Sequence, residues 1–235
     1  MDNYSPDKTR VAKEDWDKRH RQGWGVKDGI EKQPEPEVLE FFGQHKNDMI
    51  TVVDIACGNG RHVVPLAQMG FQMTGVDFSS VGLEKTKAKL EAENLSAVLK
   101  QGDFHNLPFP DATFDGAVST NAMNRNDWAG AKITFKEAAR IIKPGGFFYL
   151  KVSSSSSPIE RDGRKATIIE EPLDSELSVE NRGITFSKVE SDHTEPLMHK
   201  YTGEELLALG NYAGLDVIGE PKDEGGSWHI IYRKK

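Results

Sequence analysis

Val52-Val53-Asp54-Ile55-Ala56-Cys57-Gly58-Asn59-Gly60-Arg61-His62 is an apolar run that ends in an acid, passes two glycines and opens a helix. Residues 50–55 read as a buried parallel strand, because the run is apolar on both of its faces. Gly58 and Gly60 let backbone amides approach a ligand with no side chain between. A second short apolar run, residues 72–76, leads to Asp77, placed where a βαβ unit presents a carboxylate to two ribose hydroxyls. Together these features read as the loop of a nucleoside cofactor. A dinucleotide wants G-x-G-x-x-G so that a helix N-terminus can cradle its pyrophosphate, whereas this chain has Gly58-x-Gly60-x-x-Val63. Asp54 would also lie close to a pyrophosphate, yet it suits a ligand that carries an amino group. The pattern favours S-adenosylmethionine over NAD.

Helix and strand signals alternate along the rest of the chain at the intervals an α/β fold requires. Residues 61–69 read as a helix stopped by Gly70, with Pro65 expected to distort its early turns. Ser79 or Ser80 caps a helix running toward Asn94. A strand over residues 97–101 is followed by a proline-bearing loop, residues 105–113, and a strand over residues 114–119. Phe135, Ala138, Ala139 and Ile142 fall on one helical face, and Pro144-Gly145-Gly146 is expected to end that helix. Thr202-Gly203-Glu204-Glu205 is a capping box before a stripe of Leu206, Leu209 and Ala213, and Gly214 stops the helix. Residues 215–219 and 228–233 supply two closing strands. The polar stretch between Ser153 and Lys200 reads as an inserted hairpin and loop, with strands over residues 166–169 and 183–189.

With these landmarks in order, the chain resembles the class I S-adenosylmethionine-dependent methyltransferases over most of its length. The family's D/E-x-G-x-G motif matches Asp54-Ile55-Ala56-Cys57-Gly58. Ala56 replaces the first glycine, a change that is sterically free if the local φ is negative. The family's ribose acid matches Asp77 in Gly75-Val76-Asp77-Phe78-Ser79, and its adenine motif matches Gly102-Asp103-Phe104. Ile142-Lys143-Pro144-Gly145-Gly146 matches the Leu-Lys-Pro-Gly-Gly landmark that precedes a later strand. The resemblance implies a seven-stranded, mostly parallel Rossmann-like sheet with helices on both faces, an antiparallel last strand and an inserted segment before the last helix. It also implies a helical prelude over residues 1–48 and a methyltransferase domain over residues 49–235, with the insertion at about 153–200. Asp54, Ala56, Gly58, Gly60, Arg61, Asp77, Phe78, Asp103, Phe104, Ser119 and Trp16 are then the expected cofactor-binding residues, and no metal is implied.

The chain of 235 residues, 37% hydrophobic, is long enough for one sizeable core. A single cysteine, Cys57, forms no intrachain disulfide, the start lacks a charged-then-apolar signal, and no apolar run approaches a membrane span, so the expected place is the cytoplasm. Net charge of −7 and a pI near 5.6 argue against broad phosphate-backbone binding and make nucleic acid an unfavoured partner. The expected activity is methyl transfer to a small molecule by in-line displacement. The alternatives are a protein or RNA methyltransferase and a non-catalytic subunit that senses the cofactor.

Several side chains carry two readings. Asp77 caps the next helix or binds ribose. Asp103 is a turn carboxylate or the partner of the adenine amino group. Cys57 is a small loop residue, since direct methyl transfer needs no covalent intermediate. Arg61, placed in a first helical turn where the macrodipole disfavours a cation, calls for an anion: the cofactor carboxylate or a nearby acid. Trp16, Arg19 and Trp24 belong to a Trp-Asp-x-Arg prelude that either closes over the cofactor or packs as an ordinary amphipathic helix. On the acceptor side the candidates are Asn121, Asn124, Asp127 and Trp128, with His199 and Tyr201 in His199-Lys200-Tyr201-Thr202, which resembles the H-x-Y-T approach of many small-molecule methyltransferases. Of these, His199, Tyr201 and Asn121 are the expected catalytic residues.

Overall fold

The computed structural model describes residues 6–23, 26–27, 30–158, 166–168, 183–188 and 198–235. The N-terminal part holds α1 (Pro6–Arg21), β1 (Val26–Lys27), β2 (Ile30–Glu31) and α2 (Pro36–Gln44). Alternation then begins with β3 (Thr51–Ile55), α3 (Val63–Gln68), β4 (Gln72–Asp77), α4 (Ser80–Ala92), β5 (Val98–Gln101), β6 (Phe114–Thr120), α5 (Trp128–Ile141) and β7 (Ile142–Ser153). After β8 (Ala166–Ile168), β9 (Ile184–Lys188) and β10 (Met198–Lys200), the chain closes with α6 (Gly203–Ala213), β11 (Leu215–Glu224) and β12 (Ser227–Lys234).

Seven strands form one sheet in the order β11-β12-β7-β6-β3-β4-β5. The pairs among β3 to β7 are parallel, and β12 runs antiparallel to both of its neighbours. This is the Rossmann-like sheet expected from the sequence. Its central strands bury alternate residues on opposite faces, because side chains of a strand point to alternate sides. Val52, Val118 and Tyr149 pack with Phe42, Leu66, Leu83 and Leu90 of α2, α3 and α4. Val53, Ala117, Phe148 and Leu150 pack with Phe135, Ala138, Leu206 and Leu209 of α5 and α6. With two apolar faces to cover, the sheet needs helices on both sides.

Three local expectations are corrected. Helix α3 starts at Val63 rather than Arg61, and Pro65 lies in its first turn, where it has no N–H to place between the bonds from Val64 N to Gly60 O and from Leu66 N to His62 O. Helix α5, capped by Asp127 Oδ1 accepting from Gly130 N at 2.7 Å, ends at Ile141 and passes directly into β7. Pro144, Gly145 and Gly146 therefore lie within the strand, with Gly145 at φ +79° and the register shifting between Phe114 and Gly116 of β6. The inserted hairpin is a separate three-stranded antiparallel sheet, β8 and β10 flanking β9. Its third strand was missed because Met198-His199-Lys200 is too short to show alternation.

The capping box at α6 is present as expected: Glu205 N donates to Thr202 Oγ1 at 3.1 Å, Thr202 N donates to Glu205 Oε2 at 3.0 Å, and Gly214 closes the helix at φ +76°. Among the described residues no helix is long and apolar enough to cross a membrane. Helix α6 sits close on β12, since a Cβ on Gly210 would lie 2.7 Å from the ring of Tyr232, which is held by its hydroxyl donating to Leu206 O at 2.9 Å. Gly210→Ala should lower stability by about 1–2 kcal/mol despite the better helix propensity of alanine. Chemical unfolding of the two proteins checks it.

Candidate functional site

The order of strands reverses between β3 and β6, with β4 and β5 on one side and β7 and β12 on the other. Connections leave in opposite directions at such a point, and a crevice opens at the carboxyl ends of the strands. The glycine loop after β3, the acid of β4, the turn after β5 and the loop after β6 all meet at that edge.

The glycine loop turns through left-handed conformations at Ala56 (φ +61°), Gly58 (φ +56°) and Gly60 (φ +81°). The condition under which Ala56 is sterically free is therefore not met: a Cβ at positive φ costs about 1–2 kcal/mol. Gly60 is required for a second reason, because a Cβ there would lie 2.7 Å from Thr86 of α4, whose Oγ1 donates to Gly58 O at 3.0 Å. Cys57 is buried beside Gly75, and burial together with Asp77 and Asp54 pushes its thiol well up, which leaves it an inert loop residue.

Asp54 and Asp77 face each other across this loop. Asp77 Oδ2 accepts from Gly58 N at 2.7 Å and Oδ1 from Ser79 N at 2.8 Å, so the acid shapes the loop and the turn before α4. Removal from water pushes its carboxyl up to about 6 against those bonds. Asp54 is 2% exposed and its Oδ2 has no partner within the protein. Burial pushes it up to about 8, with Arg61 opposing the shift and Asp77 adding to it. An acceptor oxygen held dry and unsatisfied is costly, and ligand-binding sites are where such a cost persists.

Arg61 meets the nearby acid of its two readings. Its Nη1 donates to Glu35 Oε1 at 2.8 Å and its Nη2 to Thr120 Oγ1 at 2.8 Å, while Lys151 Nζ donates to Glu35 Oε2 at 2.7 Å. Burial alone would raise Glu35, but Lys151 and Arg61 outweigh it and hold the carboxyl at about 2. His62 beside them accepts from Glu35 N at 3.1 Å, and burial holds it neutral, its ring lowered to about 3.

Helix α1 lies against α4 and reaches the β6–α5 loop. Asp17 Oδ1 accepts from Ser79 Oγ at 2.6 Å and from Val81 N at 3.3 Å, tying α1 to the start of α4. Trp16 stands under two guanidinium groups, Arg19 at 5.6 Å and Arg125 of the β6–α5 loop at 5.4 Å. His20 is buried above the glycine loop, with Cε1 3.4 Å from the place a Gly58 Cβ would take and its Nδ1 without a protein partner. Trp24 lies outside the described residues. Phe78 is tied through its carbonyl, which accepts from Gln101 Nε2 at 2.8 Å. Phe104 packs against the core, and Asp103 Oδ1 accepts from His105. Ser119 is fully buried and its Oγ donates to Ile55 O at 3.0 Å, stitching β6 to β3.

On the acceptor side, Asn121 has φ +58° and donates its N–H to Lys151 O at 2.8 Å, while its side-chain Nδ2 has no protein partner. Asn124 is buried with Oδ1 likewise unsatisfied, and its carbonyl accepts from His199 N at 2.8 Å. Trp128 is buried 6.2 Å from the His199 ring. His199 is buried: Nδ1 meets Thr185 Oγ1 at 2.6 Å and Nε2 meets Glu205 Oε2 at 3.0 Å. Tyr201 is fully buried and its hydroxyl donates to Met123 O at 2.8 Å. These two side chains join the small sheet, α6 and the β6–α5 loop.

His20, Glu35, Lys151, His105 and Asn126 escape the sequence reading, and Asp17 enters it only as the acid of the Trp-Asp-x-Arg prelude. His20 lies four residues after Trp16 and three after Asp17, spacings that place it on a helical face with each. Glu35 and Lys151 are distant in sequence, and no local pattern pairs them. Among the described residues no group of three or more His, Cys, Asp or Glu side chains is placed to hold a metal ion.

Residues 52–146 match a family model described as a methyltransferase domain. A cypemycin N-terminal methyltransferase from Streptomyces sp is 31% identical over 206 residues, spanning 79% of this chain and 81% of that protein. A demethylmenaquinone methyltransferase from Desulfitobacterium hafniense is 38% identical over 104 residues, 41% of this chain and 40% of that one, so the chain matches about two-fifths of that relative's length. The fold is similar to that of Burkholderia thailandensis 1,6-didemethyltoxoflavin-N1-methyltransferase, solved with 1,6-didemethyltoxoflavin and S-adenosylhomocysteine, at a TM-score of 0.70 and 15% identity over 100% of this chain and 92% of that one.

Two outcomes are expected. In the free protein Asp54 stays protonated up to about 8 while the unfolded chain ionises it near 3.8, so the folded form binds more protons in that window. Stability should fall as pH rises from about 4 to about 8, at up to about 1.4 kcal/mol per pH unit for each such group, and Asp54→Asn should flatten the upper part of the decline. Glu35 acts with the opposite sign but below this window, losing its contribution as pH falls toward about 2. Denaturant titrations across pH check both. Ala56→Gly should stabilise the protein by up to about 1 kcal/mol, relief of strain exceeding the added chain entropy, as read from the same titrations.

Proposed function

We propose that this chain, which belongs to the class I S-adenosylmethionine-dependent methyltransferases, methylates a small-molecule acceptor held between the β6–α5 loop, α1 and the inserted sheet. The observation that carries the reading is the dry, unsatisfied oxygen of Asp54 beside Asp77, at the strand edge where the order of the sheet reverses. Two closely placed carboxyls out of water fit a ligand that brings positive charge and ribose hydroxyls, and they oppose a pyrophosphate.

When bound, the cofactor supplies an electrophilic methyl group on a sulfonium sulfur. The protein supplies position and dryness. Asp77 keeps spare lone pairs on both oxygens for ribose hydroxyls, and Asp54 Oδ2 offers its oxygen to an amino group, losing its proton as that charge arrives. Gly58, Gly60 and Ala56 bring backbone close to the ligand, and Asp103 with Phe104 is assigned to the adenine end. Phe78, Ser119 and Arg61 complete the cofactor side through the strand ends they hold, and Trp16 covers it. Asn121 Nδ2 and Asn124 Oδ1 are assigned to the acceptor as a hydrogen-bond donor and acceptor left open by the protein. His199 and Tyr201 hold the frame of that pocket in place, since both ring nitrogens and the hydroxyl are already bonded. Aligning two reactants in such a site contributes about 7–11 kcal/mol to the barrier reduction.

A second reading has one observation in its favour: the relative aligned over four-fifths of this chain is named for N-terminal methylation. An amino group at a peptide N-terminus would then be the acceptor. Calorimetry should show that S-adenosylmethionine and S-adenosylhomocysteine bind and NAD does not, and that Asp77→Ala weakens binding by at least about tenfold, the loss of a charge-assisted hydrogen bond. Incubation of metabolite and peptide pools with methyl-labelled cofactor then decides the acceptor. Label in the small-molecule pool supports the first reading, and label in the peptide pool supports the second. NAD binding as tight as that of S-adenosylmethionine would reject both.

A further inference from the structure

We propose that His105 is a positioning residue which, holding a proton on each ring nitrogen, locks the adenine-side carboxylate of Asp103 to the β6–α5 loop. The inference rests on the cofactor reading above, and it concerns how the two halves of that site are kept in register.

His105 Nδ1 lies 2.8 Å from Asp103 Oδ1, which also accepts the His105 backbone N–H at 2.9 Å. On the other side of the ring, Nε2 lies 2.7 Å from Asn126 Oδ1. The amide of Asn126 is oriented from behind. Its Nδ2 donates to Met123 O at 2.9 Å and to Thr134 Oγ1 at 3.3 Å, and the hydroxyl of Thr134 donates onward to Ala131 O at 3.0 Å. A carbonyl oxygen only accepts, so the amide nitrogen must face Met123 and the amide oxygen must face the ring. A carboxylate also only accepts. Both ring nitrogens thus face acceptors, and only an imidazolium makes both bonds.

The side chains of His105 and Asp103 are 11% and 21% exposed, sheltered enough for a charge-assisted bond to fix geometry. Asp103 is the charged group that meets the ring from its own turn, beside Phe104 at a ring separation of 4.6 Å. The loop opposite presents Asn126, with Arg125 and Asp127 as its chain neighbours. Helix α5 adds Glu137, which is engaged by Leu107 N at 2.7 Å and by Arg140. A ring that loses one proton keeps one bond and turns a lone pair toward an acceptor at the other. The loop so released is the one that carries Asn121 and Asn124. Protonation of His105 therefore links cofactor binding to the order of the acceptor side.

The test is S-adenosylhomocysteine affinity by calorimetry on the full chain, wild type and His105→Gln, from pH about 5.5 to about 8.5. Asp54 and Asp77 titrate in both proteins, so the ratio of affinities isolates His105. Wild type should bind about tenfold more tightly than the variant at the acid end, with the advantage lost at the alkaline end. A ratio independent of pH overturns the inference while leaving the methyltransferase reading intact. Absence of binding by either protein at every pH overturns that reading, and the inference with it. Nitrogen-15 spectra of the wild-type histidine rings at about pH 6 do not depend on the variant folding. Two protonated nitrogens on His105 support the proposal, and one bare nitrogen rejects it.

Discussion

Asp54 and Asp77 stand at the ends of neighbouring parallel strands, so the geometry of the sheet brings two carboxyls to one edge. Water would keep such a pair ionised and apart. Here the backbone of the glycine loop and α3 excludes it, and Asp54 retains its proton at neutral pH. Most features of the loop follow from that constraint. Gly75 has no Cβ because Cys57 occupies the space, Gly60 has none because Thr86 does, and Asp77 spends a lone pair from each oxygen on loop amides. Under the proposed function, the unfavourable energy stored at this site is what a cationic ligand releases.

The N-terminal segment is held on both sides of this edge by different physics. Asp17 accepts at the start of α4, where the unpaired amides of a helix welcome a carboxylate, and hydrogen bonds from Ser79 and Val81 hold it ionised against the burial that opposes it. Glu35 is gripped by Arg61 and Lys151, which belong to α3's approach and to β7. Between these anchors in sequence, His20 is pressed on Gly58 of the glycine loop.

The fold was legible in the sequence wherever local chemistry decides conformation. The apolar runs, the capping box at Thr202 and the Ser79 cap are short-range signals, and their alternation implies a mostly parallel sheet with helices on both faces. The motif acids were legible for the same reason. The cost of Ala56 was not legible, because a residue's φ is imposed by its neighbours' packing and is absent from its identity. The burial of His199 is not legible because three sequential residues show no burial pattern, whereas its partners Thr185 and Glu205 come from a strand and a helix on either side. Glu35 with Lys151, and His105 with Asn126, are long-range pairs, and a single sequence holds no record of them.

Helix α5 hands Ile141 to β7 at Ile142 with no intervening residue, and Ile142 is already paired with Phe114 of β6. A rod welded to a central strand can neither slide nor rotate without shearing the register of the sheet. Its other end, at the Asp127 cap, joins the loop that carries Asn121, Asn124 and Asn126. Sequence change in this chain is thus channelled: the welded end tolerates almost none, and, under the proposed function, adaptation to a differently shaped acceptor falls on the capped end and on the small sheet that leans against it.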